Sequence, residues 1–373
     1  MLEASQILDE FPGETGLLLW QALRDVTLWS SVPPERHPGL FEPDAAAHRL
    51  LRLRAAATEP ALEISLTALT SVVGNPVGAS PEIVSLVCLQ ISGWAEARGA
   101  LATALLYAQA GALAAPEDPG PAFAVGTLAM RWRRHTRAET WLRRSIGLAR
   151  RARHWEAYAQ AYVEMGALYA SRANREMAHR YYVQALRAAR RHGLMAVRGA
   201  ALHGMLLLAM ESGALEDAER YAGGAMRAYG RGHPRLGEVR HDAAYLLVMR
   251  ESHARAIPML QHLLPSRVEP VERALTYSIL ARAAAGVGDK LLYQEAWSEA
   301  WSLVNRRAGE EGRHLRALLE MARASGSLRD WVHFDLAARL ALAAARRHGD
   351  HAVAAQIQEL AASLNRPLRP PES

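Results

Sequence analysis

The sequence is short of cysteine, aromatic residues and long apolar runs. Its 373 residues include one cysteine, Cys88, which excludes an intramolecular disulfide and a thiolate cluster for zinc. Aromatic residues make up 6% of the chain, and no long Val, Ile or Thr run alternates with polar residues, so we expect no strands. No apolar run reaches the roughly 18 residues that a membrane-spanning helix needs.

The first residues, "MLEASQILDEF", carry acidic side chains where a secretory signal needs positive charge. Together with the single cysteine, this predicts a cytoplasmic protein without a membrane partner. Half of the chain is hydrophobic, and runs such as "DAAAHRLLRLRAAA" are rich in Ala, Leu and Arg. These residues lose little side-chain freedom in a helix, so the composition predicts an all-α fold.

The charge balance is basic, with 44 basic against 38 acidic residues and a formal charge of +6. Lys290 is the only lysine, so the basicity comes from arginine. Acidic residues are distributed through the same predicted helices, which indicates mixed solvated faces. On this reasoning we expect no nucleic-acid partner.

Residues 165–185, "MGALYASRANREMAHRYYVQA", place small and aromatic residues at set intervals. The pattern resembles that of the tetratricopeptide repeat, whose conserved positions correspond here to Tyr162, Met165, Gly166, Tyr169, Ala178, Tyr182 and Ala185. In such a hairpin the small residues let two helices approach closely, and the aromatic ones fill the space between hairpins. The resemblance implies a right-handed superhelical solenoid of antiparallel helix hairpins.

The pattern recurs along the chain at intervals of 34, 40, 40, 38, 37 and 38 residues. Its markers are Ala104, Ala138, Ala178, Ala218, Ala256, Tyr293 and Trp331. Most intervals exceed the 34 residues of the standard repeat, as in the lengthened arrays of bacterial regulatory and sensor proteins. We therefore assign residues 81–365 to the array and residues 366–373 to a disordered tail. Residues 1–80 are a helical capping region or a separate module for homodimerisation or docking.

The family builds a concave groove from the first helix of each hairpin, and projecting its positions onto this sequence predicts a binding surface. The surface changes from an apolar middle to a C-terminal end that contains Arg313, Arg316, Glu320 and Arg323. Such a groove suits a protein or short peptide with apolar and acidic side chains. The predicted partner-binding residues are Val163, His203, Met210, His241, Tyr245, Met249, Arg282 and Arg316.

Other motifs have simpler interpretations. The sequence "AARRHG" occurs at 188–193 and at 344–349, where arginine, histidine and glycine are typical of a helix C-terminus. His348 and His351 are separated by a helix-breaking glycine, and "GVGDK" lacks the rest of a phosphate-binding loop. We predict no catalytic residue, no metal site and no cofactor.

The sequence thus favours a non-catalytic scaffold that binds a protein or peptide in the groove. Two alternatives stay open. One is a peptide-sensing or transcription-associated regulator that acts through a partner chain, because residues 1–80 show no helix-turn-helix. The other is an enzyme whose site has no visible motif.

Overall fold

A computed structural model of the protein describes residues 6–56, 59–306 and 311–366. These residues form nineteen α-helices and no strand. The helices are α1 (Gln6–Glu10), α2 (Glu14–Ser31), α3 (Ala45–Ala55), α4 (Pro60–Gly74), α5 (Pro81–Glu96), α6 (Leu101–Ala114), α7 (Pro119–Arg131), α8 (His135–Arg151), α9 (Trp155–Ser171), α10 (Arg175–Arg191), α11 (Met195–Glu211), α12 (Leu215–Tyr229), α13 (Leu236–Met249), α14 (His253–Leu263), α15 (Pro270–Val287), α16 (Lys290–Val304), α17 (Leu315–Ser327), α18 (Trp331–His348) and α19 (His351–Ser363). The predicted all-α class, with antiparallel hairpins like those of tetratricopeptide repeats, is confirmed.

The chain divides into two compact units, residues 1–204 and residues 205–373. In the first unit, helix hairpins such as α7/α8 and α9/α10 pack on one another around buried Leu, Ala and Met side chains. In the second unit, helices α13 to α19 enclose a core that is rich in alanine. The predicted division at residue 80 concerns repeat phase and stays a prediction.

The repeat register is visible at one position of each second helix. In every second helix from α6 to α18, the fourth residue is buried. A small residue there lets the partner helix approach closely, and a large one fills the space between the two helices. The seven residues are Ala104, Ala138, Ala178, Ala218, Ala256, Tyr293 and Phe334. The prediction had Trp331 in the last place, but Trp331 is the first residue of α18, so Phe334 is the residue in register.

The opening motif packs as its pattern predicts. A Cβ atom at Gly166 would lie 2.6 Å from Cδ1 of Tyr182, and one at Gly204 would overlap the same ring. Tyr182 on α10 therefore fits only because α9 and α11 each present a glycine to it. One repeat earlier, Gly126 on α7 faces Leu142 on α8 in the same way.

Helix ends recur every 20 residues in this part of the chain. Arg133, Arg153, Ala173, Gly193 and Gly213 all have positive φ angles, between 53° and 74°. Each left-handed residue closes one helix and lets the next begin within a few residues. The two glycines accept this conformation freely, whereas the arginines and the alanine adopt it at a cost of roughly 1 kcal/mol each.

The N-terminal helices pack against the first hairpin. The Glu10 carboxylate accepts hydrogen bonds from the backbone N–H groups of Ala102 and Thr103, at 2.9 and 2.8 Å, at the start of α6. The Tyr107 hydroxyl on α6 donates to the carbonyl oxygen of Leu19 on α2 at 2.7 Å. These contacts join α1 and α2 to α6, and the capping role of residues 1–80 stays a prediction. The predicted tail lies outside the described residues except for Arg366, which pairs with Asp335 at 3.0 Å.

Candidate functional site

In the second unit, α13, α15 and α17 are each the first helix of a hairpin, and together they bring predicted groove residues into contact. The Glu320 carboxylate on α17 accepts hydrogen bonds from the Tyr245 hydroxyl on α13 at 2.8 Å and from Arg282 Nη1 on α15 at 2.7 Å. Arg323, one turn along α17, donates from Nη1 to the same carboxylate at 2.7 Å. We call Tyr245, Arg282, Glu320 and Arg323 the Glu320 cluster.

The cluster consists of a buried carboxylate and of arginine side chains that are partly exposed to solvent. The side chain of Glu320 is 4% exposed, whereas those of Arg282 and Arg323 are 23% and 29% exposed. Because an unpaired buried charge is costly, the three donors are what allows a carboxylate at this depth. Arg323 also donates from Nη2 to Oε1 of Gln356 on α19 at 3.1 Å, which links the cluster to the last helix.

The surroundings of Tyr245 and Arg282 shift the pKa of each group. Burial, followed by the adjacent Glu320 carboxylate, raises the pKa of Tyr245 to about 12, so its hydroxyl stays a donor at neutral pH. Burial opposes the charge of Arg282, but the attraction of Glu320 outweighs it and raises the pKa of the guanidinium. Tyr245 therefore offers Glu320 a neutral hydroxyl donor, and Arg282 offers it a charged guanidinium.

The remaining predicted groove residues differ in exposure. Arg316 on α17 is exposed, and Met249 on α13 is half-buried. In the first unit, His203 on α11 is half-buried as well. The other three, Val163, Met210 and His241, are buried and contribute mainly to packing.

A second polar cluster lies in the first unit, between α8, α9 and the loop after α9. Glu139 accepts hydrogen bonds from the Tyr169 hydroxyl at 2.7 Å and from Arg172 Nη1 at 2.6 Å, and it pairs with Arg143 at 2.6 Å. Although burial acts against its charge, these partners lower the pKa of Glu139 overall. Tyr169, a family position, thus has a polar contact besides its stacking on Tyr181 at 5.3 Å.

Sequence reasoning missed one surface entirely. Residues 131–191 contain 15 arginines, four glutamates and no lysine or aspartate, for a formal charge of +11. The whole chain carries +6, so all its other residues together carry −5. The average over the chain concealed this difference, which a count in windows of one or two repeats reveals. The expectation of mixed solvated faces, drawn from the whole chain, understates the positive charge of this segment.

Within the described residues, no group of three His, Cys, Asp or Glu side chains is placed to hold a metal ion. The same residues include no helix that is long and apolar enough to cross a membrane.

No protein-family model matches the chain, and no curated protein matches it. Among solved structures, it is similar to BtubC (BKLC) from P. vanneervenii, with 17% identity, a TM-score of 0.46, and coverage of 60% of this chain and 91% of that one. It is also similar to PilF of Pseudomonas aeruginosa, with 13% identity, a TM-score of 0.49, and coverage of 61% and 96%. The P58(IPK) TPR domain shares 12% identity with a TM-score of 0.24, over 86% of this chain and 98% of that domain. The assignment to tetratricopeptide-like hairpins rests on the register and packing described above.

Proposed function

We propose that the chain is a non-catalytic scaffold that binds a protein or a short peptide along the first helices of its hairpins. The expected partner carries apolar side chains and one or more carboxylates. Cytoplasm is the compartment we expect, in keeping with the burial of the single cysteine.

The observation that carries this proposal is the meeting of α13, α15 and α17 at the Glu320 cluster. Tyr245 and Glu320 lie 75 positions apart in the chain and are joined by a hydrogen bond, which brings α13 and α17 together there. Around it, Met249 supplies an adaptable apolar side chain and Arg316 an exposed guanidinium. Apolar anchors flanked by charge are typical of peptide-binding surfaces.

The cluster also refines the predicted roles of its members. Tyr245 and Arg282 already hold Glu320, so substituting them would disturb the fold as well as any binding. Met249 and Arg316 are better positions for a test because neither side chain forms a hydrogen bond within the described residues.

The experiment is selection of peptides from a displayed random library on the full chain, followed by measurement of the Kd of the enriched peptides. We expect enrichment of peptides that combine acidic and apolar residues. The Met249→Asp and Arg316→Glu variants should each weaken binding at least about tenfold, the loss typical of a hot-spot position. A matched control is Val332→Asp on the second helix α18, whose side chain is 71% exposed and which should bind normally. Equal binding by all variants would contradict this placement of the site.

A homodimer through residues 1–80 is a further proposal. Leu51, Ile64 and Val77 are 62%, 70% and 64% exposed, so this region offers apolar side chains that a second copy would cover. Sedimentation equilibrium of the wild type and of Ile64→Asp tests it. A concentration-dependent dimer that the substitution weakens is the expected result, and a monomer at all concentrations would overturn it.

A further inference from the structure

The C-terminal ends of α8 and α10 carry a dense group of exposed arginines. Arg150 and Arg151 end α8, Arg153 follows it, and Arg187, Arg190 and Arg191 occupy the last turns of α10. Arg150 and Arg151 precede Arg190 and Arg191 by 40 positions, so the two groups are the same positions of neighbouring repeats. We call these six residues the arginine edge.

A contact between aromatic rings shows that the two groups lie at one edge of the first unit. Trp155, which begins α9 just after Arg153, stacks on His192, the residue after Arg191. Their ring centroids are 4.6 Å apart and the planes differ by 10°. Tyr158 meets Trp155 edge-on at 5.9 Å. Half-buried rings therefore lie between the two chain segments that carry the six arginines.

Little in the chain neutralises this charge. Within the described residues, only Arg151 of the six forms an ion pair, with Glu117 at 3.1 Å, and both side chains are more than 60% exposed. Arginine at a helix end also offsets the partial charge of the helix carbonyl groups, but that charge is only about −0.5 for each of the two helices. A charge of about +4 remains beyond what the two helix ends and Glu117 can balance.

The surroundings of the edge decide between classes of partner. Residues 114–194, all of which the structure describes, expose no large hydrophobic side chain, and the next one along the chain is Met195, 48% exposed at the start of α11. A membrane-binding surface and a typical protein interface both need such anchors. A surface of arginines and flat rings suits a nucleic acid instead. Guanidinium groups bind phosphate through two parallel hydrogen bonds, and both guanidinium groups and aromatic rings stack on bases.

The spacing along α10 fits a linear polyanion. Arg187 and Arg191 are one turn apart, which is a rise of about 6 Å along the helix axis. Arg190 lies beside them, and the corresponding arginines of α8 extend the row into the neighbouring repeat. We propose that the arginine edge binds the phosphodiester backbone of a single-stranded nucleic acid, with Trp155 and His192 close to its bases.

The test is fluorescence anisotropy of a labelled single-stranded RNA of mixed sequence, titrated with the full chain over a series of salt concentrations. The variant is Arg187→Gln/Arg190→Gln/Arg191→Gln. Its matched control is Arg240→Gln/Arg255→Gln/Arg339→Gln, which removes the same charge from exposed residues of the second unit. We expect the edge variant to bind at least about tenfold more weakly, and the slope of log K against log salt to fall by about two. The control should keep the wild-type slope.

A second variant separates charge from side-chain chemistry. Arg187→Lys/Arg190→Lys/Arg191→Lys keeps the charge, so its salt slope should match that of the wild type while its affinity falls less than in the glutamine variant. All six substituted positions are exposed, and circular dichroism should show unchanged helicity.

Three results would overturn the proposal. One is an equal loss of RNA affinity in the edge variant and in the control variant, which would mean that binding depends on net charge alone. The second is equal or tighter binding of polyglutamate or of phosphatidylserine vesicles at the same salt concentration, which would indicate an acidic protein or a membrane. The third is equal affinity for duplex DNA together with no effect of Trp155→Ala, which would exclude a single-stranded ligand.

Discussion

Two groups of arginines, one in each unit, use their charge in opposite ways. In the second unit, Arg282 and Arg323 converge on the buried Glu320 carboxylate and are held by it. In the first unit, Arg187, Arg190 and Arg191 are exposed at the end of α10 and pair with no carboxylate of the described residues. We expect Arg282 and Arg323 to support the fold, and we expect Arg187, Arg190 and Arg191 to be available to a ligand.

The difference between the two groups of arginines is the presence of Glu320, a buried carboxylate, beside the first group. Breaking a buried ion pair costs about 3–5 kcal/mol, because a desolvated charge is left without a partner, whereas an exposed pair contributes about 0–1 kcal/mol. Substitutions in the two groups should therefore separate clearly in stability. The following predictions test that separation.

The largest effect is expected for Glu320→Ala. This change leaves two guanidinium groups and the Tyr245 hydroxyl without their common acceptor, and we expect the apparent free energy of unfolding to fall by about 3 kcal/mol. Urea unfolding followed by circular dichroism measures it.

The matched control is Glu176→Ala on α10, which removes an exposed carboxylate paired with Arg180 at 2.8 Å. Its cost should stay below about 1 kcal/mol. If both alanine variants lose the same stability, the carboxylate of Glu320 does not hold the second unit together.

A smaller effect is expected for Tyr245→Phe, which removes one hydrogen bond to a carboxylate and should cost about 1–2 kcal/mol at pH 7. The folded-state pKa of Tyr245 is about 12, above its ordinary value of 10.0. Its contribution is therefore complete below pH 10 and is lost as the pH rises through 12, because the unfolded chain releases the proton first.

The stabilities of wild type and Tyr245→Phe should accordingly converge between pH 10 and pH 12, measured by urea unfolding at each pH. Tyr277→Phe is the control, since the Tyr277 hydroxyl has no hydrogen bond within the described residues. A constant difference between wild type and Tyr245→Phe would mean that the hydroxyl is not buried against Glu320.

The smallest effect on stability is expected for the triple glutamine variant of Arg187, Arg190 and Arg191. Exposed residues without partners contribute little, so the free energy of unfolding should change by no more than about 0.5 kcal/mol per residue. A larger loss would show that these arginines support the fold and would remove the contrast between the units.

Much of the fold could be predicted from the sequence because close packing restricts side-chain size. Tyr182 needs glycine at both Gly166 and Gly204, so the pattern survives in the sequence as small and large residues at fixed intervals. Glycine and proline likewise mark helix ends such as Gly349, which closes α18 with a φ of 69°. By contrast, Arg133, Arg153 and Ala173 adopt a positive φ without being glycine, so no residue type marks these helix ends in the sequence.

The candidate site was less predictable. Repeat phase placed Tyr245, Arg282, Glu320 and Arg323 on the same side of their helices, but it could not show that these residues bind one another. That depends on distances between helices that are 37 to 75 residues apart in the chain. The arginine edge was visible in the sequence as a local excess of positive charge. Whether these arginines are available to a ligand depends on which carboxylates lie near them, and only the three-dimensional structure gives that information.

Arginine-specific labelling of the native protein with phenylglyoxal, followed by peptide mass spectrometry, tests the central contrast most directly. The account predicts rapid modification of Arg187, Arg190 and Arg191 and protection of Arg282 and Arg323, with protection lost in Glu320→Ala. Equal labelling rates for the two sets in the wild-type protein would contradict it.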